Sequence, residues 1–212
     1  MSSEPLRNRP PTAHERMSHR PWDASYQDGP PPWDIGHPQP VFARLVAAGK
    51  FASPVLDAGC GTGEHALLLA SLGLSVLGFD VAETALARAR QKALDRKLSA
   101  EFVAADALHL DTLGRSFQTV LDCGLFHAFD ADERRQYAAS LAQVTTEGAM
   151  LYLLCFSDQG PDIGPHPITR QDLQAAFSSM NGWNIQETVA ERVHTRFHEH
   201  GAPAWLAAIK RT

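Results

Sequence analysis

Gly59, Gly61 and Gly63 alternate in the stretch LDAGCGTGEH, and Asp57 stands two residues ahead of the first of them. Glycine at such positions lets the backbone turn sharply and approach a ligand with no Cβ in the way. A helix that starts just after the turn directs free N–H groups, and the positive end of its dipole, at whatever the turn holds. The turn alone is a weak signal, because nucleotide, flavin and nicotinamide sites all use one. Two further carboxylates sharpen it. Asp80 closes the apolar run LSVLGFD and Asp106 closes AEFVAAD, with Val81 and Ala107 directly after them. At a strand end a carboxylate accepts hydrogen bonds from both hydroxyls of a ribose, or from the amino group of adenine. Asp57 is placed to meet the amino acid end of a ligand, directly or through water. Acids at three consecutive strand ends suit a ligand with an ammonium group, a diol and an adenine. They suit a pyrophosphate poorly.

The elements that position these residues alternate. PVLDAG, LSVLGFD, AEFVAAD, FQTVLDCG and AMLYLLCF are short apolar runs stopped by turn residues, the pattern of buried strands. Between them lie helical stretches: EHALLLASLG, AETALARARQKALDRK with a cationic outer face, and DADERRQYAASLAQVTTEG. The last opens with a capping box, Asp130 with Glu133, and runs to Gly148. A second capping box, Thr169 with Asp172, starts TRQDLQAAFSSM. WNIQETVAERV and APAWLAAIK follow as two strands with no helix long enough to separate them, so they pair antiparallel. Alternation of this kind predicts a doubly wound α/β fold with a mostly parallel seven-stranded sheet and an antiparallel last strand. Ligands on such sheets bind where the strands end, which is where the glycines and acids fall. No internal repeat or second domain is visible: residues 1–20 are expected to be poorly ordered and 21–212 to form a single domain.

Composition limits the partners. The 212 residues carry a net charge of −5 and no lysine or arginine run long enough to neutralise a phosphate backbone, which makes a nucleic-acid partner the minority reading. No apolar run approaches the ~20 residues needed to cross a bilayer. Three unpaired cysteines, Cys60, Cys123 and Cys155, point to free thiols in a reducing cytoplasm. A monomer or weak homodimer is expected.

The D-x-G-x-G-x-G turn, with acids ending the second and third strands, resembles the first motifs of the class I S-adenosylmethionine-dependent methyltransferases. A nicotinamide site expects its third glycine one residue later and gives Asp57 and Asp106 no role. A second resemblance lies at the N-terminus. WDASYQDGPPPWDIG is similar to the N-terminal signature of the thiopurine and thiol S-methyltransferase branch, with Trp22, Asp23, Tyr26, Gly29, Pro32, Trp33, Asp34 and Gly36 at the matching positions. LDCGLFHAFD and LYLLCFSDQGPDIGPHPITRQDL look like the bacterial enzymes of that branch that methylate heterocyclic toxins. The branch has an arginine where His166 stands, which puts an anionic-substrate contact there in doubt. The resemblance implies S-adenosylmethionine as cofactor, S-adenosylhomocysteine as product, a small-molecule acceptor and a role in detoxification. It implies too that residues 21–40 form a strap over the site. Trp22 and Trp33 then either face the sulfonium, which an indole stabilises, or merely pin the N-terminus to the body.

Asp122, Phe126 and His127, in DCGLFHAF after the fourth strand, fall near the reacting methyl. Asp122 is assigned to the cofactor side, and Phe126 to the acceptor wall. His127 is either a base for an ionisable acceptor or a packing residue. Cys123 is expected beneath the site as a small apolar residue. His194, His198 and His200 have no metal-ligand spacing and no supporting carboxylate or cysteine pattern, so no metal is expected. They read as a polar loop between the last two strands that can border the acceptor pocket. The Asn/Asp-Pro-Pro-aromatic motif of nucleic-acid methyltransferases is missing. A protein that binds S-adenosylmethionine without turnover would be expected to lose the strap, which this chain keeps.

Overall fold

The computed structural model describes Leu6, residues 9–160 and residues 164–212. The strands are β1 Val55–Ala58, β2 Val76–Asp80, β3 Glu101–Ala104, β4 Phe117–Cys123, β5 Thr145–Phe156, β6 Trp183–Thr195 and β7 His198–Arg211. They form one seven-stranded sheet in the order β3-β2-β1-β4-β5-β7-β6. Pairing is parallel from β3 through β5, while β7 runs antiparallel to both β5 and β6. This is the doubly wound, mostly parallel sheet that the alternating runs predict. The order reverses between β1 and β4, so a cleft opens where these two strands end.

Side-chain alternation along the strands supplies two cores. Leu56 of β1, Val120 of β4 and Leu151 and Leu153 of β5 face helices α6 (Ala131–Gln143) and α7 (Arg170–Ala176). Val55, Leu121, Tyr152 and Leu154 face α3 (Pro40–Ala47), α4 (Glu64–Ser71) and α5 (Glu83–Asp95). Strands buried on both faces read as continuous apolar runs, which is why they were visible without polar alternation.

Three elements depart from the sequence reading. Helix α6 stops at Gln143, and β5 begins at Thr145 rather than after Gly148. Thr145 pairs with Phe117 and the ladder resumes only at Met150 opposite Thr119. A bulge therefore absorbs the intervening residues, with Gly148 at φ +81°. Second, the expected loop at His194–His200 is a tight hairpin: β6 runs to Thr195 and β7 starts at His198, so His194, His198 and His200 belong to strands. Third, the N-terminal residues expected to lack order include helix α1, Ala13–Ser18. Arg16 pairs with Glu133 and Asp130 of the capping box at the start of α6, and the Ala13 N–H donates to Glu133. The remainder of that expectation, residues 1–5 and 7–8, lies outside the described residues. The strap itself contains one helical turn, α2 (Ala24–Gln27), before its irregular proline stretch.

Candidate active site

After β1 the chain turns through Gly59, Gly61 and Gly63, all at positive φ. A Cβ on Gly63 would meet Ala89 and the Phe102 ring at 2.9 Å, so only glycine lets α4 start this close to α5 and β3. A Cβ on Gly61 would come within 3.0 Å of the Tyr26 hydroxyl of the strap. The Gly61 N–H donates to Asp80 Oδ2 at 2.9 Å, while Asp80 Oδ1 accepts from the Ala82 N–H at 2.9 Å. One carboxylate thus joins the glycine turn to the end of β2. Burial raises its pKa, against the hydrogen bonds that favour its ionised form. Asp106 accepts from the Leu108 N–H and faces the His109 ring at 3.1 Å.

A cleft of about 300 Å³ opens over these strand ends. Of the residues singled out in the sequence, Trp22, Trp33, Gly59, Gly61, Gly63, Asp80, Val81, Asp106, Ala107 and His127 line it. Three do not. Asp57 is 1% exposed and spends Oδ2 on the Ala66 N–H at 2.9 Å, so it holds the first turn of α4 instead of reaching the cleft. Asp122 is fully buried, accepting from the Leu125 and Phe126 N–H groups and from the Tyr137 hydroxyl. It shapes the loop after β4 from below. Burial pushes both carboxyls up to about 7. Phe126 is also fully buried, packed 5.5 Å from the Phe177 ring under Arg134. The loop after β4 makes a 3-10 turn at Phe126–Ala128, which turns Phe126 inward and presents Leu125, His127, Ala128 and Phe129 to the cleft.

The strap forms the opposite wall. Trp22 and Trp33 meet edge to face at 5.6 Å, and the Trp33 Nε1–H donates to the Tyr26 hydroxyl at 3.0 Å. Cys60 and Cys123 both reach the wall, so Cys123 borders the cleft where the sequence suggested a place beneath it. The hairpin contributes His194, Thr195, Phe197 and His198. Sequence reasoning missed His14, which α1 brings to the cleft and stacks on Trp22 at 4.3 Å. Its signal was the Thr12–Glu15 capping box, hidden in a proline-punctuated segment. Among the described residues, no lysine or arginine lines the cleft, and no group of three or more His, Cys, Asp or Glu is arranged to hold a metal ion.

The comparisons agree with this geometry. Residues 55–148 match the methyltransferase domain family model. A 2-heptyl-1-hydroxyquinolin-4(1H)-one methyltransferase from Mycobacteroides abscessus is 35% identical over 81% of this chain and 78% of its own length. A structure solved in work on conversion of a disulfide bond into a thioacetal group during echinomycin biosynthesis is 36% identical, with TM-score 0.81 over 90% of each chain. Magnesium protoporphyrin IX methyltransferase from Synechocystis PCC 6803 with bound S-adenosylmethionine is 26% identical, with TM-score 0.62 over 80% of this chain and 76% of that one. The fold and cleft define a class I methyltransferase architecture. The chain belongs to the S-adenosylmethionine-dependent methyltransferases. The residues present fit that cofactor: a glycine turn with no room for a Cβ at Gly63, acids at the end of β2 and just after β3, and the apolar side chains of Phe79 and Leu125 on the cleft wall.

Proposed function

We propose that the acceptor is a small, flat, uncharged molecule, a hydroxylated nitrogen heterocycle or a thiol or thione. One observation carries this reading: aromatic and apolar side chains and imidazoles line much of the cleft, its charged side chains are the carboxylates of Asp34, Glu64, Asp80 and Asp106, and among the described residues no lysine or arginine lines it to hold a phosphate or carboxylate. The same lack of cations disfavours nucleic acid. The hydroxyquinolinone substrate of the Mycobacteroides relative supports the heterocycle.

In this reading Asp80 binds the ribose hydroxyls, Asp106 the adenine amino group, and Val81 and Ala107 flank the base. The glycine turn takes the amino acid end. When bound, the cofactor supplies a methyl group already activated by its sulfonium. The protein therefore needs to align the acceptor, exclude water and dispose of a proton. The strap, residues 21–40, excludes water and sets Trp22 and Trp33 beside the sulfonium, where the indole faces favour a cation. Burial lowers the His127 pKa to about 3, which keeps its ring neutral and makes it a poor resting place for a proton. Detoxification of such heterocycles, in the cytoplasm and as a monomer or weak dimer, is the role this reading suggests. No described helix is long and apolar enough to cross a membrane.

The test is a turnover screen with S-adenosylmethionine over hydroxyquinolines, thiopurines, simple thiols and halides. Methylation of one of the first three classes is expected. Cofactor stabilisation with no turnover on any of them would favour a binding protein and sink the reading.

A further inference from the structure

Three imidazoles from distant parts of the chain line the same cleft, and two of them touch. His14 comes from α1, His127 from the loop after β4, and His166 from the segment between β5 and α7. His14 Nδ1 lies 3.2 Å from His166 Nε2, and the rings meet edge to face at 5.4 Å. The indole of Trp22 fixes the other face of His14 by stacking. His166 sits at φ +55°, a left-handed conformation that costs energy for a residue with a Cβ and tends to persist where a side chain must be aimed. His127 Nδ1 is closed off from solvent and has no hydrogen-bond partner among the described residues. A clasp between α1 and the β5–α7 segment would need only the pair, whereas this arrangement aims three rings at the cleft.

We infer that His14 and His166 act as a dyad that takes the hydrogen of a weakly acidic acceptor group, while His127 orients the acceptor. This rests on the small-molecule reading above and moves the base from His127 to the dyad. The acceptor's O–H bond breaks with its pair remaining on oxygen, and an N–H bond forms on the dyad. That oxygen bonds the methyl carbon as the carbon–sulfur bond breaks toward sulfur, so one positive charge enters on the sulfonium and one leaves on an imidazolium. The Nδ1···Nε2 contact shares the proton between two rings, and both keep some exposure through which it can depart.

The surrounding charges agree with this division. Burial lowers the pKa of His14, with the neighbouring His166 acting in the same direction and Glu15 opposing. Burial also lowers His166, helped by Arg134, whose guanidinium is paired with Asp172. Glu15 is held by Arg9, and Glu133 near α1 is held by Arg16. Burial therefore favours the neutral form of both rings, the form that can accept a proton, and both keep the partial exposure and mutual contact that His127 Nδ1 lacks. A permanent anion such as a halide or thiocyanate gains nothing from a neutral dyad and would face Asp34, Glu64, Asp80 and Asp106 on the same cleft.

The experiment compares the full-length protein with His14→Phe, which keeps the stack on Trp22, and His166→Asn, which tolerates the left-handed backbone. The acceptors are a hydroxyquinoline protonated at pH 7 and an aryl thiol ionised there. Both variants should lose on the order of 100-fold in kcat on the hydroxyquinoline and within about threefold on the thiol, a difference no purely structural role produces. Wild-type kcat/KM on the hydroxyquinoline should be flat through pH 6.5–8. In the variants it should climb roughly tenfold per pH unit as the acceptor ionises by itself. S-adenosylhomocysteine binding by calorimetry should be unchanged. Equal losses on both acceptors, or no loss on either, overturn the dyad alone. No turnover by the wild type on either acceptor overturns the small-molecule reading and the dyad with it.

Discussion

The Thr62 hydroxyl of the glycine turn donates to the Asp34 carboxylate of the strap at 2.9 Å, and Lys92 of α5 donates to the same hydroxyl oxygen at 2.8 Å. The strap is tied at other points as well. Arg196 at the hairpin tip donates its backbone N–H to the Pro32 carbonyl and its Nε–H to the Asp34 carbonyl. Arg88 of α5 donates to the Tyr26 carbonyl, and Asp23 accepts from the N–H and hydroxyl of Thr84. The same turn that would carry the cofactor is therefore also tied to the strap.

Thr62→Val should loosen that tie without unfolding the chain. It removes two hydrogen bonds, the one to the Asp34 carboxylate and the one from Lys92, and at about 1.5–3 kcal/mol for a bond to a charged group it weakens S-adenosylmethionine binding by about 10-fold or more. Calorimetry measures the affinity. Hydrogen exchange should quicken at residues 32–36 but not in β1 or β4. Unchanged exchange in the strap would mean that the Thr62–Asp34 bond does not hold it.

Asp80→Ala should abolish measurable cofactor binding. It removes the proposed ribose acceptor and also leaves the Gly61 N–H without its partner, so the turn itself loses its shape. Loss of charge-assisted hydrogen bonds at about 1.5–3 kcal/mol each predicts at least 100-fold weaker binding. Near-normal affinity by calorimetry would place the ribose elsewhere.

How much of this was legible beforehand depends on where each signal lies. The sheet was legible because buried parallel strands are short continuous apolar runs and the helices between them carry caps such as Asp130 with Glu133. That the glycines, Asp80 and Asp106 line the cleft was legible because backbone geometry and strand position place them there. Asp57, Asp122 and Phe126 were misplaced because strand position does not tell which way a side chain turns. Asp122 points down to the Tyr137 hydroxyl of α6, a contact between residues that only the fold brings together. His14 was invisible for a related reason: α1 is held by Glu133, 120 residues away from the Ala13 N–H that it accepts from.

Gly63→Ala should be among the most damaging single changes. At φ +83° the new Cβ is strained, and it would meet Ala89 and Phe102 side chains at 2.9 Å in a packed core. A loss of about 2–4 kcal/mol is expected from the two effects together. Gly73→Ala, at φ +80° with open space around it, should cost only about 1 kcal/mol. Urea melts of the two variants separate strain from collision. Equal midpoints would mean that the core relaxes around the methyl group.

Asp122→Asn tests both the buried carboxylate and its assignment. Burial pushes the native Asp122 carboxyl up to about 7, and Asp57 likewise, against about 3.9 in the unfolded chain. The native state therefore binds more protons than the unfolded state between about pH 4 and 7. These groups lower stability as pH rises through that window, and the loss is complete above it. His127 acts oppositely: with its native pKa lowered to about 3, it costs stability as pH falls below about 6.5. Asparagine keeps an acceptor for the Leu125 N–H and a polar group for Tyr137 while removing the charge. The variant should melt about 2–4 °C higher than the wild type at pH 8, with the gain shrinking toward pH 5. Its affinity for S-adenosylmethionine should be unchanged, because Asp122 does not reach the cleft. A melting temperature that falls at pH 8 would show that the ionised carboxylate supports the loop. A large loss of affinity with normal melting would return Asp122 to the cofactor.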